Sequence, residues 1–156
     1  KAWTSVASGT IADLFGISGT DGSNVLVVGD VGTVLRYDGT SFTKQASGIS
    51  TALLAVSASS PTEAWAVGTG GVTLRYSGSS WAAVASGRTS NLSGVLSASA
   101  NEAYAVGEAG LLLKYDGTSW APLRTGTTQP LNRVLRGAGR DLWLLGDSGT
   151  ALRGQR

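Results

Sequence analysis

Apolar residues occur in this chain as short runs, broken every few positions by Gly, Ser, Thr or Asp. The stretch 50–88 is representative. Leu53–Ser57, Glu63–Val67, Val72–Tyr76 and Trp81–Ala85 each read as a strand. Strands of about five residues at about ten-residue spacing mark an all-β chain. Turns fall at 58–62, Gly68–Gly71 and 77–80. Glycine permits positive φ there at no steric cost. No window sustains a helical period of about 3.6 residues, and glycine recurs too often for stable helix.

The second strand decides how such sheets must pack. Side chains alternate between faces along a strand. In Glu63–Val67, Trp65 and Val67 therefore share one face, and Ala64 and Ala66 the other. Both faces are apolar, one large and one small, and Ala103–Val106 repeats the pattern. A sheet with one wet face would alternate apolar with polar instead. Large against small suits sheets stacked face to face around an axis.

The pattern is periodic. Gly29, Gly68, Gly107 and Gly146 are each 39 residues apart, as are Leu35, Leu74, Leu113 and Leu152. The aromatic row Trp3, Phe42, Trp81 and Trp120 keeps the same step. Four periods of 39 residues account for all 156, without insertion or deletion. A fixed period of this length signals a repeat architecture. The expected fold is an all-β propeller of four-stranded blades, four per chain. The units fall at about 11–49, 50–88, 89–127, and 128–156 completed by 1–10, within one domain spanning 1–156. The last unit lacks its fourth strand, and Trp3 and the residues after it match that strand in phase. Four blades closing alone would diverge by about 90° each, and eight by about 45°, within the usual range of 4–8 blades. The flat Ala/Gly/Ser faces suit the smaller step. The expected particle is thus a homodimer forming one eight-bladed ring by strand exchange.

Composition narrows the function classes. Hydrophobic residues make up 42% and charged residues 14%, too apolar for a disordered chain. No apolar run approaches the ~18 residues of a membrane span, so membrane insertion is not expected. A net charge of +2 with no basic cluster argues against nucleic acid. The chain has no Cys and no His. That excludes disulfides, thiolate metal sites and a Ser–His–Asp triad, and leaves the compartment open. No signal peptide is evident and the sequence starts at Lys1 without Met, the expectation for a processed or trimmed product.

The pattern W-x-VG-x-x-G-x-x-L-R-Y-D-G-x-S-W is carried by Trp65, Val67, Gly68, Gly71, Leu74, Arg75, Tyr76, Gly78 and Trp81 and their equivalents. It resembles repeats of bacterial propellers related to photosystem II assembly factors and to sialidase-type repeats. The segment Tyr115–Trp120 looks like a shortened Asp-box turn, but Asp116 and Gly117 are adjacent and no Ser precedes Asp116 by two. The resemblance implies the propeller across all four units and specifies function only weakly, because propellers host unrelated activities. A secreted or cell-surface bacterial location is the guess that goes with it.

Several rows could carry chemistry. Arg133 stands where the other units have Gly16, Ala55 and Gly94, at the centre of the first strand. A long cation there must reach into the central channel or its mouth, to snorkel or to meet a ligand. Arg36, Arg75, Lys114 and Arg153 form a second cation row. Sialidases hold a carboxylate with arginines from unlike blades, so one repeated position favours a structural role. Acids recur at Asp30, Glu108 and Asp147, and at Glu63, Glu102 and Asp141, with Thr69 and Asn24 breaking the rows. Neither row shows the ligand spacing of a calcium loop. Trp3, Phe42, Trp81 and Trp120 are expected to fill space between blades rather than stack on sugars. Gly29, Gly68, Gly107 and Gly146 are expected at turns with no room for a side chain.

The expected function is a non-enzymatic binding or scaffold module for a protein or glycan, with no cofactor and no metal. A lectin with sugar pockets between blades is one alternative, and a sialidase-like hydrolase a weaker one. The unbroken period also fits a recently amplified or engineered array with no evolved ligand.

Overall fold

The computed structural model describes residues 2–155. Besides two short 3-10 turns, Thr69–Gly71 and Glu108–Gly110, its elements are the strands β1 (Leu14–Asp21), β2 (Asn24–Gly29), β3 (Val34–Tyr37), β4 (Phe42–Gln45), β5 (Leu53–Ser60), β6 (Glu63–Gly68), β7 (Thr73–Tyr76), β8 (Trp81–Ala83), β9 (Leu92–Ser99), β10 (Glu102–Gly107), β11 (Leu112–Tyr115), β12 (Trp120–Leu123), β13 (Leu131–Arg136), β14 (Asp141–Gly146) and β15 (Ala151–Gln155). They form four separate antiparallel sheets in simple up-and-down order, β1–β4, β5–β8, β9–β12 and β13–β15. Each sheet is one blade. The first three blades have four strands and the last has three. The first strand of each of the first three blades runs eight residues where the sequence pattern predicts five, because it continues into the turn at 58–62 and its equivalents, and that of the fourth runs six.

The blades stack as the alternation in the second strand predicts. Ala64 and Ala66 pack back onto Leu26, Val28 and Val34 of the first blade. Trp65 and Val67 pack forward into Leu92, Val95, Ala103, Ala105, Leu113, Tyr115 and Trp120 of the third. Tyr104 and Val106 then meet Leu131, Val134, Leu142 and Leu144 of the fourth. In the second and third blades the second strand puts large residues forward and alanines backward, whereas the backward positions are Val25 and Val27 in the first blade and Leu142 and Leu144 in the fourth. The core is three interfaces rather than one centre, the arrangement of quasi-one-dimensional repeat proteins. Trp65 and Tyr104 are fully buried. Their rings anchor the forward faces, with Trp65 edge-on to Trp120 at 4.9 Å between centroids.

β1, β5, β9 and β13 run side by side on the inner edge. Their close approach explains the small residues at their centres. A Cβ on Gly16 would lie 3.0 Å from Ala55 Cα, and one on Gly94 would lie 2.8 Å from the Asn132 carbonyl oxygen.

The stack is open at both ends. On the forward face of the fourth blade Trp143, Leu145 and Leu135 are exposed, whereas Trp65 and Tyr104, the equivalents of Trp143, are sealed. On the backward face of the first blade Leu14 and Ile17 are exposed, Ile17 by 71%, whereas its equivalents Val56, Val95 and Val134 are buried. Residues 2–13 form no strand, and Trp3 is fully exposed rather than paired beside β15.

Candidate functional site

The inner edge carries the cleft that best combines shape with charge. Phe15, Ile17, Leu54, Ala55, Val56, Gly94, Val95, Arg133 and Val134 line about 250 Å³ there. The lining comes from β1, β5, β9 and β13, so it depends on the small residues that let these strands converge. Arg133 is the charged member. Its Nη1 donates to the carbonyls of Ser93 (3.3 Å) and Asn132 (2.8 Å). Those two bonds lay the guanidinium along the backbone rim. The remaining N–H groups and the exposed aromatic ring of Phe15 are left to face solvent at the mouth.

The second cation row lies elsewhere, on the third strands. Arg75 forks onto Glu63 through Nε and Nη2 at 2.8 and 3.1 Å and also donates to the Ala100 carbonyl. Arg153 donates through Nε and Nη2 to one oxygen of Asp141, Oδ2, and Lys114 stands 3.6 Å from Glu102. The pairs follow from register, since Trp65 lies opposite Arg75 and the acid is two positions before it. The cations also cover aromatic rings: Arg75 lies over Trp65 and Tyr115, Lys114 over Tyr104, and Arg153 over Trp143. Such a cation over a ring contributes about 0.5–1 kcal/mol at exposed sites. Hydrogen bonding to Glu63 holds the Arg75 guanidinium pKa above its ordinary value.

Arg36 breaks the row because Asn24 stands where the others have an acid. Asn24 donates to Thr20 Oγ1, and its own buried Oδ1 has no partner. Arg36 reaches instead to Tyr76 Oη (2.8 Å) and the Pro61 carbonyl on the next blade. The row therefore ties strands within a blade and crosses to the neighbouring blade. It converges on no common point.

The other acids work locally. Glu108 accepts from the Asn91 backbone and side-chain amides, and Asp147 from Asn132 Nδ2. Asp38 and Asp116 each accept two backbone N–H groups of the turn that follows. Those bonds hold both carboxyls below the usual carboxylate range.

The aromatic row is divided. Trp81 and Trp120 are nearly buried on the backward faces, and Trp81 Nε1 donates to Gln45 of the preceding blade. Phe42 is half-buried, and Trp3 stands free in solvent. The glycine row is a matter of close approach. Gly68 and Gly107 have extended φ of −163° and −169°. A Cβ on Gly29, Gly68, Gly107 or Gly146 would strike the carbonyl oxygen of Asp13, Ala52, Asn91 or Pro130. Positive φ occurs two and three residues later. The turn puts Gly70 there, and Val31, Ala109 and Ser148 in the other units, a left-handed position that sequence pattern alone did not mark.

These stacked antiparallel blades, three of four strands and one of three, have a β-propeller fold. Solved structures share it. "YCF48 bound to D1 peptide" matches with a TM-score of 0.70 at 17% identity, covering 94% of this chain and 54% of that one. "YCF48 from Cyanidioschyzon merolae" matches with a TM-score of 0.71 at 21% identity, over 100% and 60%. The computationally designed Ika4 protein matches with a TM-score of 0.77 at 13% identity, over 99% of both chains. The chain spans a little over half the length of the two YCF48 proteins. No protein-family model and no curated protein matches the sequence.

Proposed function

We propose that this chain is a non-enzymatic binding scaffold that presents its inner cleft to a protein partner. The observation that carries this reading is Arg133, a long cation in a row otherwise kept small, placed at the rim of a cleft that combines apolar side chains with polar backbone. An arginine fork beside apolar walls suits a peptide carboxylate with a neighbouring apolar side chain. A structure of similar fold, YCF48, is described as bound to a D1 peptide, which supports a peptide ligand for the fold class. The buried state of Trp81 and Trp120 counts against a lectin with sugars stacked on that row.

The scaffold works, in this reading, as a homodimer closing an eight-bladed ring. The forward face of the fourth blade and the backward face of the first are the two halves of the interface seen three times inside the chain. The units that carry these faces also differ in charge. Residues 128–156 carry five arginines against two aspartates, and residues 11–49 carry four aspartates against one arginine and one lysine. Opposite charge favours docking of the one on the other.

Peptide and glycan arrays probed with wild type and Arg133→Ala test the binding reading. Peptides bound by wild type and lost with Arg133→Ala, at unchanged melting temperature, are the expected result. Glycan signals that survive Arg133→Ala would turn the assignment to a lectin. Silence on both arrays would favour an amplified or engineered array without a ligand.

A further inference from the structure

We infer that the free edge of β15, with the groove beside it, is a strand-capture site for residues 3–10 of a second copy of this chain. This rests on the two-copy ring proposed above but is separable from it, because end faces can pack without exchanging strands.

The groove lies between the third and fourth blades. Leu112, Leu123, Leu142, Leu144 and Leu152 line about 340 Å³ there, beside the Gly154 backbone. In complete blades the fourth strand covers this place. Its aromatic lies opposite the third-strand tyrosine, as Phe42 does with Tyr37, Trp81 with Tyr76 and Trp120 with Tyr115. One period later the positions are Gly154 and Trp3. The same step sets Thr4 opposite Arg153, Ser5 opposite Leu152 and Val6 opposite Ala151. Trp3 and Ser5 then face Leu142, Leu144 and Leu152, with Gly154 in the place that a tyrosine holds in the other blades.

Two observations outside the strand point the same way. The turn after each fourth strand is built on a hydroxyl and a left-handed glycine. Ser47, Ser86 and Thr125 each bond the residue two ahead, with Gly48, Gly87 and Gly126 at φ of 75°, 67° and 78°. Ser8, Gly9 and Thr10 already adopt this turn, with the same pair of bonds and φ of 72° at Gly9. The receiving side is equally prepared. Ser86 and Thr125 donate to the carbonyls of Gly71 and Gly110. A Cβ on Gly32, Gly71 or Gly110 would strike the carbonyl of Ile49, Arg88 or Thr127. Gly149 has the same left-handed φ of 72°, yet nothing lies within 4 Å of its Cβ position. The missing carbonyl is that of Thr10, and the missing donor is Ser8 Oγ. Trp3, Ser8 and Thr10 therefore form a plug whose socket is β15 and Gly149, and the two do not meet within this chain. An edge strand filled in this way gains main-chain hydrogen bonds and loses an aggregation-prone edge.

The chain has no cysteine, so a cross-link can be placed cleanly. Val6→Cys and Ala151→Cys chains are unfolded together, refolded and oxidised, and mass is measured by light scattering. The expected result is a covalent dimer from the mixture, absent from either variant alone, in a particle near twice 15.8 kDa. Trp3→Ala should raise the dimer dissociation constant more than about tenfold, and Trp3→Phe should largely restore it. A dimer mass with no cross-link overturns strand capture and leaves the two-copy ring standing. A monomer mass overturns both. A disulfide within single chains of a Val6→Cys/Ala151→Cys double variant then identifies self-closure.

Discussion

Arg75 and Glu63 meet as a two-pronged pair on adjacent strands, at 2.8 and 3.1 Å, with the carboxylate side chain only 11% exposed. Its repeat at Arg153 and Asp141 has the arginine 62% exposed. Burial should separate the two. Glu63→Ala leaves a half-buried guanidinium without its acid and should cost about 2–3 kcal/mol. Asp141→Ala should cost under about 1 kcal/mol. Urea unfolding of both variants checks this, and equal costs would contradict it.

Trp81 contributes to the stack between first and second blades. Trp81→Ala should lower stability by about 3–5 kcal/mol, the loss expected for a buried Trp. Gln45→Ala removes only the acceptor for the indole N–H and should cost about 1 kcal/mol. An unchanged melting temperature for Trp81→Ala would place the ring in solvent.

Gly107 and Val31 should respond in opposite directions. A side chain at Gly107 strikes the Asn91 carbonyl, so Gly107→Val should cost well over about 1 kcal/mol. Val31 is β-branched yet held at φ 52°. Val31→Gly should stabilise, or at worst be neutral, with about 1 kcal/mol of left-handed strain relieved. Differential scanning calorimetry reads both signs.

Acid should loosen the chain through Asp38 and Asp116. Backbone N–H bonds from Ser41 and Thr40, and from Ser119 and Thr118, lower their pKa values in the folded state. A depressed folded pKa stabilises above the unfolded value and is lost as pH falls through the folded one. Stability should therefore decline below about pH 4. Asp116→Asn should flatten that decline, and side-chain NMR titration should place both carboxyls below unfolded peptides of the same sequence.

Much of this architecture is legible in the sequence. Ala64, Trp65, Ala66 and Val67 announce two dry faces of unequal size, and the interfaces formed by those residues follow. The ion pairs were legible in part. Glu63 with Arg75, Glu102 with Lys114, and Asp141 with Arg153 share one spacing, and only strand register turns that spacing into contact. The left-handed turn position stayed hidden because three of its four occupants, Val31, Ala109 and Ser148, give no sign of it. Local propensity yields there to the carbonyl contacts at Gly29, Gly107 and Gly146, which fix the turn from outside. The cleft was legible only at Arg133, since Phe15 and Ile17 read as ordinary strand residues until the first blade is seen to lack a neighbour.

The unequal faces give the chain a polarity. Trp143 and Leu145 at one end and Leu14 and Ile17 at the other are unlike halves of the internal interface, so in the assembly proposed above copies would add head to tail. Such addition has two outcomes, set by the angle between successive blades. When the turns sum to a full circle the assembly is finite and has no ends. When they fall short or overshoot, the same contacts build a thread without limit. In the assembly proposed above, the close approach of the first strands at Gly16 and Gly94 would therefore bear on the choice between a closed ring and a fibre.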